Sequence, residues 1–441
     1  GILYGQINKK EKAIELLESA LAIKPDDASA LNNYGVILTD VKRVDEACSA
    51  LEKATTIKPD YAEAYSNKGN TLKILGRYKD AIKAYDTAIK LRPDYAEAYN
   101  NRAVIYKDFN EIDYALKDLD KAINLKPGYP EANNTKGVTL LLTGDFKNGW
   151  KQYEWRWKDL SGNAVVRNFK EPLWDGKTSL KGKSILLFSE QGLGDTIQFS
   201  RYIVLVKALG AKIILETHKE LLNIVSSIDS GITVVLVGQK LPKFDYQCPL
   251  MSLPLKFETE LKSIPSPTYY ICADKSLVSK WKKKIGSQKK SLVGIAWEGN
   301  PLHKNDHNRS ILLAELIPYL PKKHTYIGLQ KDIRKSNLET LKKNAMINNL
   351  IDSHVTMDDT AAIIENLDIV ISVDTSIAHL SASMGKPTWV LLPFVPDWRW
   401  LLNRNDSPWY KSIKLFRQKK RGSWDEVFKE LKKNLMFKSA I

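Results

Sequence analysis

The sequence predicts an α + α/β chain, a helix-turn-helix solenoid followed by two doubly wound half-domains. Three observations carry this. The segments "IKPDDASALNNYG", "IKPDYAEAYSNKG", "LRPDYAEAYNNRA" and "LKPGYPEANNTKG" begin at residues 23, 57, 91 and 125, a strict period of 34. From residue 184 the helical period gives way to short β-rich apolar runs alternating with helical stretches. That alternation occurs in two series of domain size, the first from "SILLFS" and the second from "SLVGIAWEG".

Within the repeats, Pro25, Pro59, Pro93 and Pro127 each close one helix pair and open the next. Gly35, Gly69, Ala103 and Gly137 place a small residue where two helices must approach closely, and Ala20, Ala54, Ala88 and Ala122 do so on the second helix. The unit resembles the tetratricopeptide repeat and implies an array over residues 1–157. Gly1 falls 34 residues before Gly35, in the middle of a first helix, so further repeat sequence is expected before it. Asn33, Asn67 and Asn101 recur at one position of the first helix, with Thr135 in the fourth repeat, and Asn32, Asn100 and Asn134 stand beside them. Asparagine is a mediocre helix former, so its periodic use is read as a groove lined by amides. Such amides pair with the backbone of an extended peptide, which makes a protein or peptide the expected partner.

Trp150, Tyr153, Trp155 and Trp157 are expected to cap the apolar end of the array and dock it on the next domain. Residues 158–183, with Gly162, Pro172, Gly176 and Gly182, read as a connector. The two Rossmann-like halves then cover 184–285 and 286–422, the Lys-rich stretch 274–290 reads as a hinge, and a final helix in 423–441 packs back over the first half.

The turn Gly192-Leu193-Gly194 between a strand and a helix looks at first like a phosphate cradle, yet an acid, Asp195, opens the helix. A pyrophosphate at that helix end would meet the carboxylate. The spacing has no third glycine, because Ile197 takes its place, and "GKTSLKGKS" is one residue too long and precedes the strand. Asp195 is instead a helix cap that also faces the carboxyl edge of a parallel sheet, where it can accept a proton from a hydroxyl nucleophile. The second series supplies the better phosphate site. "DIVISVDTSIAHLSASMGKP" is a buried strand, then Asp374, Thr375 and Ser376, then a helix whose first amides and hydroxyls suit a diphosphate. His379 follows one turn on, as a ligand or as a packing residue. "WEGNPLHKNDHNRS" adds Lys304, His307 and Arg309 in a polar loop, a second clamp. Trp398, Arg399 and Trp400 stack on a ligand or pack the domain edge.

"GLGDTIQFSRY" together with "DTSIAHLSASMGKPTWVLLP" resembles the heptosyltransferase-like glycosyltransferases of GT-B fold, over about residues 184–420. With repeats in front, the layout is similar to that of repeat-bearing O-linked N-acetylglucosamine transferases. The resemblance implies an inverting transfer from a nucleotide-diphosphate sugar, with Asp195 as general base. Gly192 and Gly194 lie on the acceptor side. Lys304, Arg309, Asp374, Thr375, Ser376 and His379 are then at the nucleotide sugar. Ser376 stands where that family commonly has glycine, and Gln330-Lys331 stand near where it has an acid, so heptose is not implied. No DxD motif sits in the expected cleft, and neither a metal nor a cofactor beyond the donor substrate is expected. A non-catalytic interaction scaffold with a degenerate second part is the alternative.

Composition fits an ordinary globular chain, with 43% hydrophobic residues, and no apolar run is long enough to span a bilayer. Cys48, Cys248 and Cys272 have no metal-ligand spacing, which points to reduced thiols and a cytoplasmic location. The net charge of +16 falls almost wholly beyond the repeats. No nucleic-acid motif accompanies it, so a solvated basic face is expected rather than a nucleic-acid partner.

Overall fold

In a computed structural model the chain is described over residues 9–159, 167–303, 305–352 and 354–437. It divides into two compact units, Gly1–Thr139 and Leu140–Ile441.

The first unit is built of antiparallel helix pairs. First helices are α2 (Ala28–Asp40), α4 (Ala62–Ile74), α6 (Ala96–Asp108) and α8 (Pro130–Thr143), and each starts 34 residues after the last. Second helices are α1 (Lys10–Ile23), α3 (Val44–Ile57), α5 (Tyr78–Leu91) and α7 (Ile112–Leu125), in the same phase. The small residues do what the period demands. A methyl group on Gly69 would lie 2.6 Å from the ring of Tyr85, and one on Gly35 would lie 2.6 Å from Leu51. Gly69→Ala gains roughly 1 kcal/mol of helix propensity but overpacks a fully buried ring, at a cost of about 1–3 kcal/mol. A net loss of stability is expected, read as a lowered unfolding midpoint of the repeats.

Two polar ladders repeat with the fold. One joins each first helix to the acid 16 residues earlier: Tyr34 to Glu18 at 2.8 Å, Lys68 to Glu52 at 3.5 Å, Arg102 to Asp86 at 2.5 Å and Lys136 to Asp120 at 2.6 Å. The other places a cation over the tyrosine three residues on, Lys58 over Tyr61, Arg92 over Tyr95 and Lys126 over Tyr129, at 5.0, 4.4 and 4.7 Å from the ring centres. Each exposed pair contributes little, but the recurrence pins every repeat in the same register.

Helix α9 (Phe146–Tyr153) begins 34 residues after α7, still in repeat phase, and ends after eight residues. Its aromatics are buried in the second unit. Trp150 donates its indole N–H to the Thr259 carbonyl at 2.9 Å and packs edge-on against Trp398, and Phe146 lies against Trp409. These residues are therefore core of the second unit. Beside them Arg156 grips Glu190 through two bonds of 2.9 and 3.0 Å, with side-chain exposures of 3% and 1%.

The second unit holds two parallel sheets. The first contains β1 (Ser184–Phe188), β2 (Lys212–Thr217), β3 (Thr233–Leu236) and β4 (Tyr246–Pro249), in the order β3-β2-β1-β4. The connector packs on its edge, where Gln247 exchanges backbone bonds with Pro172 and Trp174. The second contains β5 (Leu292–Ala296), β6 (Thr325–Gly328), β7 (Ile347–Asn349), β8 (Ile369–Val373), β9 (Thr388–Leu392) and β10 (Ile413–Arg417), in the order β10-β9-β8-β5-β6-β7. This is the doubly wound order, with the winding reversed between β5 and β8. Sequence reading finds neither β7 nor β10. Both are edge strands, and β7 is only "INN", too short and polar to show a strand period.

Two further expectations change. The stretch read as a hinge is largely helix, α11 (Lys275–Ile285), capped by Asp274 and anchored by a 2.8 Å bond from the Trp281 indole to Asp359 of α12 (Met357–Glu365). Its run of lysines looks like a linker until Trp281 is given a partner. The last helix, α14 (Asp425–Phe437), packs on the second sheet, not the first. Val427, Phe428, Leu431 and Leu435 join Val293, Ile295, Tyr326 and Ile371 in one core cluster.

Candidate functional site

In a doubly wound sheet a ligand crevice forms beyond the carboxyl ends of the strands where the winding reverses. In the first sheet that point lies between β1 and β4, and β1 runs into Gly192, Gly194 and Asp195. In the second it lies between β5 and β8. The first of these leads to the loop bearing Arg309, and the second to Asp374, Thr375 and Ser376. Topology thus puts every described candidate of the second unit at a switch edge.

The two edges meet. Helix α10 (Leu193–Phe199) packs on α13 (Ser376–Ser383). A methyl group on Gly194 would lie 2.9 Å from His379 Cδ2 and 3.5 Å from the Ser376 Cα, so only glycine allows this approach. Asp195 is the third residue of α10 rather than the residue that opens it. Gly192 takes the cap position, and its N–H donates to Asp195 Oδ2 at 2.9 Å.

The other Asp195 oxygen accepts from Arg399, a residue whose role sequence reading left open. Arg399 is buried, also holds Asp397 at 2.7 Å, and lies 4.3 Å from the centre of the Trp398 ring. Burial opposes its charge, but Asp195 and Asp397 outweigh that and keep the guanidinium protonated. Burial likewise works against an ionised Asp397, and Arg399 more than compensates, so its carboxyl is held below the usual range. Trp398 and Trp400 are buried and pack the edge. An arginine between two tryptophans, after Pro396 and Asp397, is the one sequence signal of this triad.

At the second edge, Arg309 donates to the Asp374 carbonyl at 2.7 Å and leans on Asp306 at 3.3 Å. The Asp306 carboxylate also accepts from Ser310 and Arg334, which ties the base of the loop down. Lys304 lies outside the described residues, and His307 is exposed. Asp374 is half-buried; burial, reinforced by the nearby Asp397, pushes its carboxyl up to about 6. The Thr375 hydroxyl shares a hydrogen bond with Ser372 at 3.0 Å, and Ser376 opens α13, half-buried. Gln330 accepts from the backbone N–H groups of Trp297 and Glu298 and braces the β5 end.

His379 is 4% exposed. Its Nδ1 meets the Tyr410 hydroxyl at 2.9 Å, and its ring stacks on Trp400 with centres 5.2 Å apart. Burial, then the charges of Arg399 and Arg201, push its pKa down to about 3; Asp397 pulls the other way and Arg309 adds to the fall. A histidine held neutral in the folded state and free to protonate when unfolded stabilises the fold above pH 6.5. That contribution is lost as pH falls toward 3. From pH 7 to pH 5 the second unit is expected to lose about 2 kcal/mol through this residue. Denaturant titrations at the two pH values should show a flatter pH dependence in His379→Gln.

The asparagine column belongs to the first unit. Asn33, Asn67 and Asn101 are half-buried, and Asn67 donates to Asn32 of the preceding repeat at 2.9 Å. Part of the column is therefore an amide contact between repeats. Cavities of about 490 Å³, lined by Asn223, Cys272 and Asp358 among others, and of about 360 Å³, lined by Lys282, Lys289 and Asp368 among others, contain none of the candidates.

Residues 1–62 and 96–129 match the tetratricopeptide repeat, and residues 69–109 match a TPR repeat family. The N-terminal region carries tetratricopeptide repeats. The chain is 25% identical to the protein FlbA of Caulobacter vibrioides over 319 residues, which takes in 66% of this chain and 52% of FlbA. It thus spans about half the length of that relative, and the match reaches past the repeats into the second unit. Among solved structures, MamA is 25% identical, with 34% of this chain and 89% of that chain covered and a TM-score of 0.32. YrrB, titled a TPR protein with an unusual peptide-binding site, is 22% identical, with 35% and 78% covered and a TM-score of 0.28. No helix among the described residues is long and apolar enough to cross a membrane.

Proposed function

We propose that the second unit is a GT-B glycosyltransferase of heptosyltransferase-like type, moving a sugar from a nucleotide diphosphate to an acceptor hydroxyl with inversion. The observation that carries the reading is the approach of the Gly194 turn to the start of α13, which puts an acid and a diphosphate-type helix end at one place. Asp195 takes the proton of the acceptor hydroxyl. Its two oxygens are engaged by Arg399 and Gly192, but a carboxylate oxygen carries two lone pairs and retains acceptor capacity. The leaving diphosphate lies on the first amides of α13 with the Thr375 and Ser376 hydroxyls, and Arg309 adds positive charge at that edge. The repeats recruit a protein or peptide acceptor, in keeping with the amide-lined helices of the first unit.

One observation favours a second reading, an interaction scaffold without catalysis: the guanidinium of Arg399 already sits on Asp195. A panel of nucleotide sugars separates the two. Transfer or hydrolysis of at least one donor by the wild type, absent in Asp195→Ala, is the expected result. No turnover with any donor, together with no thermal shift on adding any nucleotide diphosphate, would sink the enzyme reading.

A further inference from the structure

His379 suits a ligand role by its place in the sequence, yet its ring is packed on three sides. Trp400 stacks on one face, Tyr410 takes Nδ1, and the Gly194 backbone abuts the Cδ2–Nε2 edge. The surroundings of Tyr410 decide where the imidazole proton sits. The guanidinium of Arg201 lies 4.3 Å from the centre of the Tyr410 ring, and the Tyr410 hydroxyl lies 2.9 Å from His379 Nδ1. Arg201 has no acceptor, and it donates to the Tyr270 hydroxyl at 3.1 Å and to the Gln198 carbonyl at 2.7 Å. The Tyr270 proton goes to the Ile197 carbonyl at 3.0 Å. A phenol is a stronger donor and a weaker acceptor than a neutral imidazole, so the Tyr410 hydrogen points to His379 Nδ1. The imidazole proton is then on Nε2, beside Gly194.

We propose that His379, held by Tyr410 as the Nε2–H tautomer, is the seat of the Gly192–Asp195 turn and positions Asp195 instead of binding nucleotide. The same cluster grips the turn from its other end, because the carbonyls of Ile197 and Gln198 belong to α10. Arg201, Tyr270 and Tyr410 therefore connect α10 and α13, the two helices whose approach defines the site. The role of Asp195 in this inference rests on the reading given under Proposed function; the tautomer and the seating of the turn do not.

The experiment uses the full chain labelled with ¹⁵N-histidine, glycine and aspartate. Imidazole resonances of His379 are identified by their absence in His379→Gln. The expected result is a single Nε2–H tautomer in the wild type, a mixture of tautomers in Tyr410→Phe, and displaced Gly194 and Asp195 amide resonances in that variant. An Nδ1–H tautomer in the wild type, or Tyr410→Phe spectra unchanged at His379 and at the turn, overturns the proposal. With UDP, GDP and ADP as probes, Tyr410→Phe should keep whatever nucleotide affinity the wild type has to within about twofold. Its kcat should fall about tenfold to a hundredfold, the cost of a misplaced base. Weakened nucleotide binding with kcat retained would instead make His379 a ligand. If no donor is turned over, the glycosyltransferase reading fails, and the spectra still decide the seating of the turn.

Discussion

Asp195→Ala is expected to lower transfer from the nucleotide sugar by about 10²–10⁴-fold, the usual contribution of a positioned general base. The loss should fall on kcat, because the proposed function holds the diphosphate on α13, at the other sheet. Binding of the nucleotide diphosphate, followed by calorimetry, should change little. The substitution also leaves Arg399 with Asp397 alone as its counter-ion. A control is therefore Asp195→Asn, which keeps an oxygen for Arg399 and should be as inactive while more stable than Asp195→Ala. If Asp195→Asn retains activity, the carboxylate is a cap and an ion-pair partner, and the base lies elsewhere.

Arg156→Ala is expected to destabilise the second unit by about 3–5 kcal/mol, the range for removing one partner of a buried pair. Glu190 then keeps only the Met251 N–H, at 3.0 Å, in a site closed to solvent. Burial already pushes the Glu190 carboxyl up, to about 7, against the pull of Arg156. Below the unfolded value near 4.5 both states hold the proton and nothing is lost. Between there and about 7 the folded state binds a proton that the unfolded state has released, so stability falls as pH rises. The deficit of Arg156→Ala should therefore be smaller at pH 5 than at pH 8. The double variant Arg156→Met with Glu190→Gln should recover part of it, since it removes the uncompensated charge at the buried Glu190 site, while the more exposed Glu154 still loses Arg156. Chemical denaturation of these variants and the wild type at the two pH values measures all of this.

How much of the molecule was legible in the sequence differs from one element to the next. The 34-residue period located every helix of the array, because a solenoid contact is local and each repeat meets the same neighbours. Short apolar runs located the other strands of both sheets, the edge strands β3 and β4 included, and missed β7, which is only "INN", and β10, "IKLFR", whose lysine and arginine interrupt the run. Gly192, Gly194, Asp195 and the Asp374-Thr375-Ser376 segment were visible as turns between a strand and a helix. Arg399 was visible only as an arginine among tryptophans, and nothing local distinguishes a packing arginine from one that meets a carboxylate 204 residues away. Trp150 shows the same limit. Its helix keeps the repeat phase, and its neighbours Thr259, Trp398 and Trp409 belong to another part of the chain.

By itself, then, the sequence determined periodicities: the repeat unit, the alternation of strand and helix, and the turns that carry glycine and acid to the ends of strands. Only the tertiary structure decided pairings. It set α9 and α14 in their cores, closed His379 between Trp400, Tyr410 and Gly194, and put Arg399 on Asp195. The physical reason is that propensity and pattern act over a few residues. The energy of a buried charge or a packed ring depends on which distant group arrives beside it.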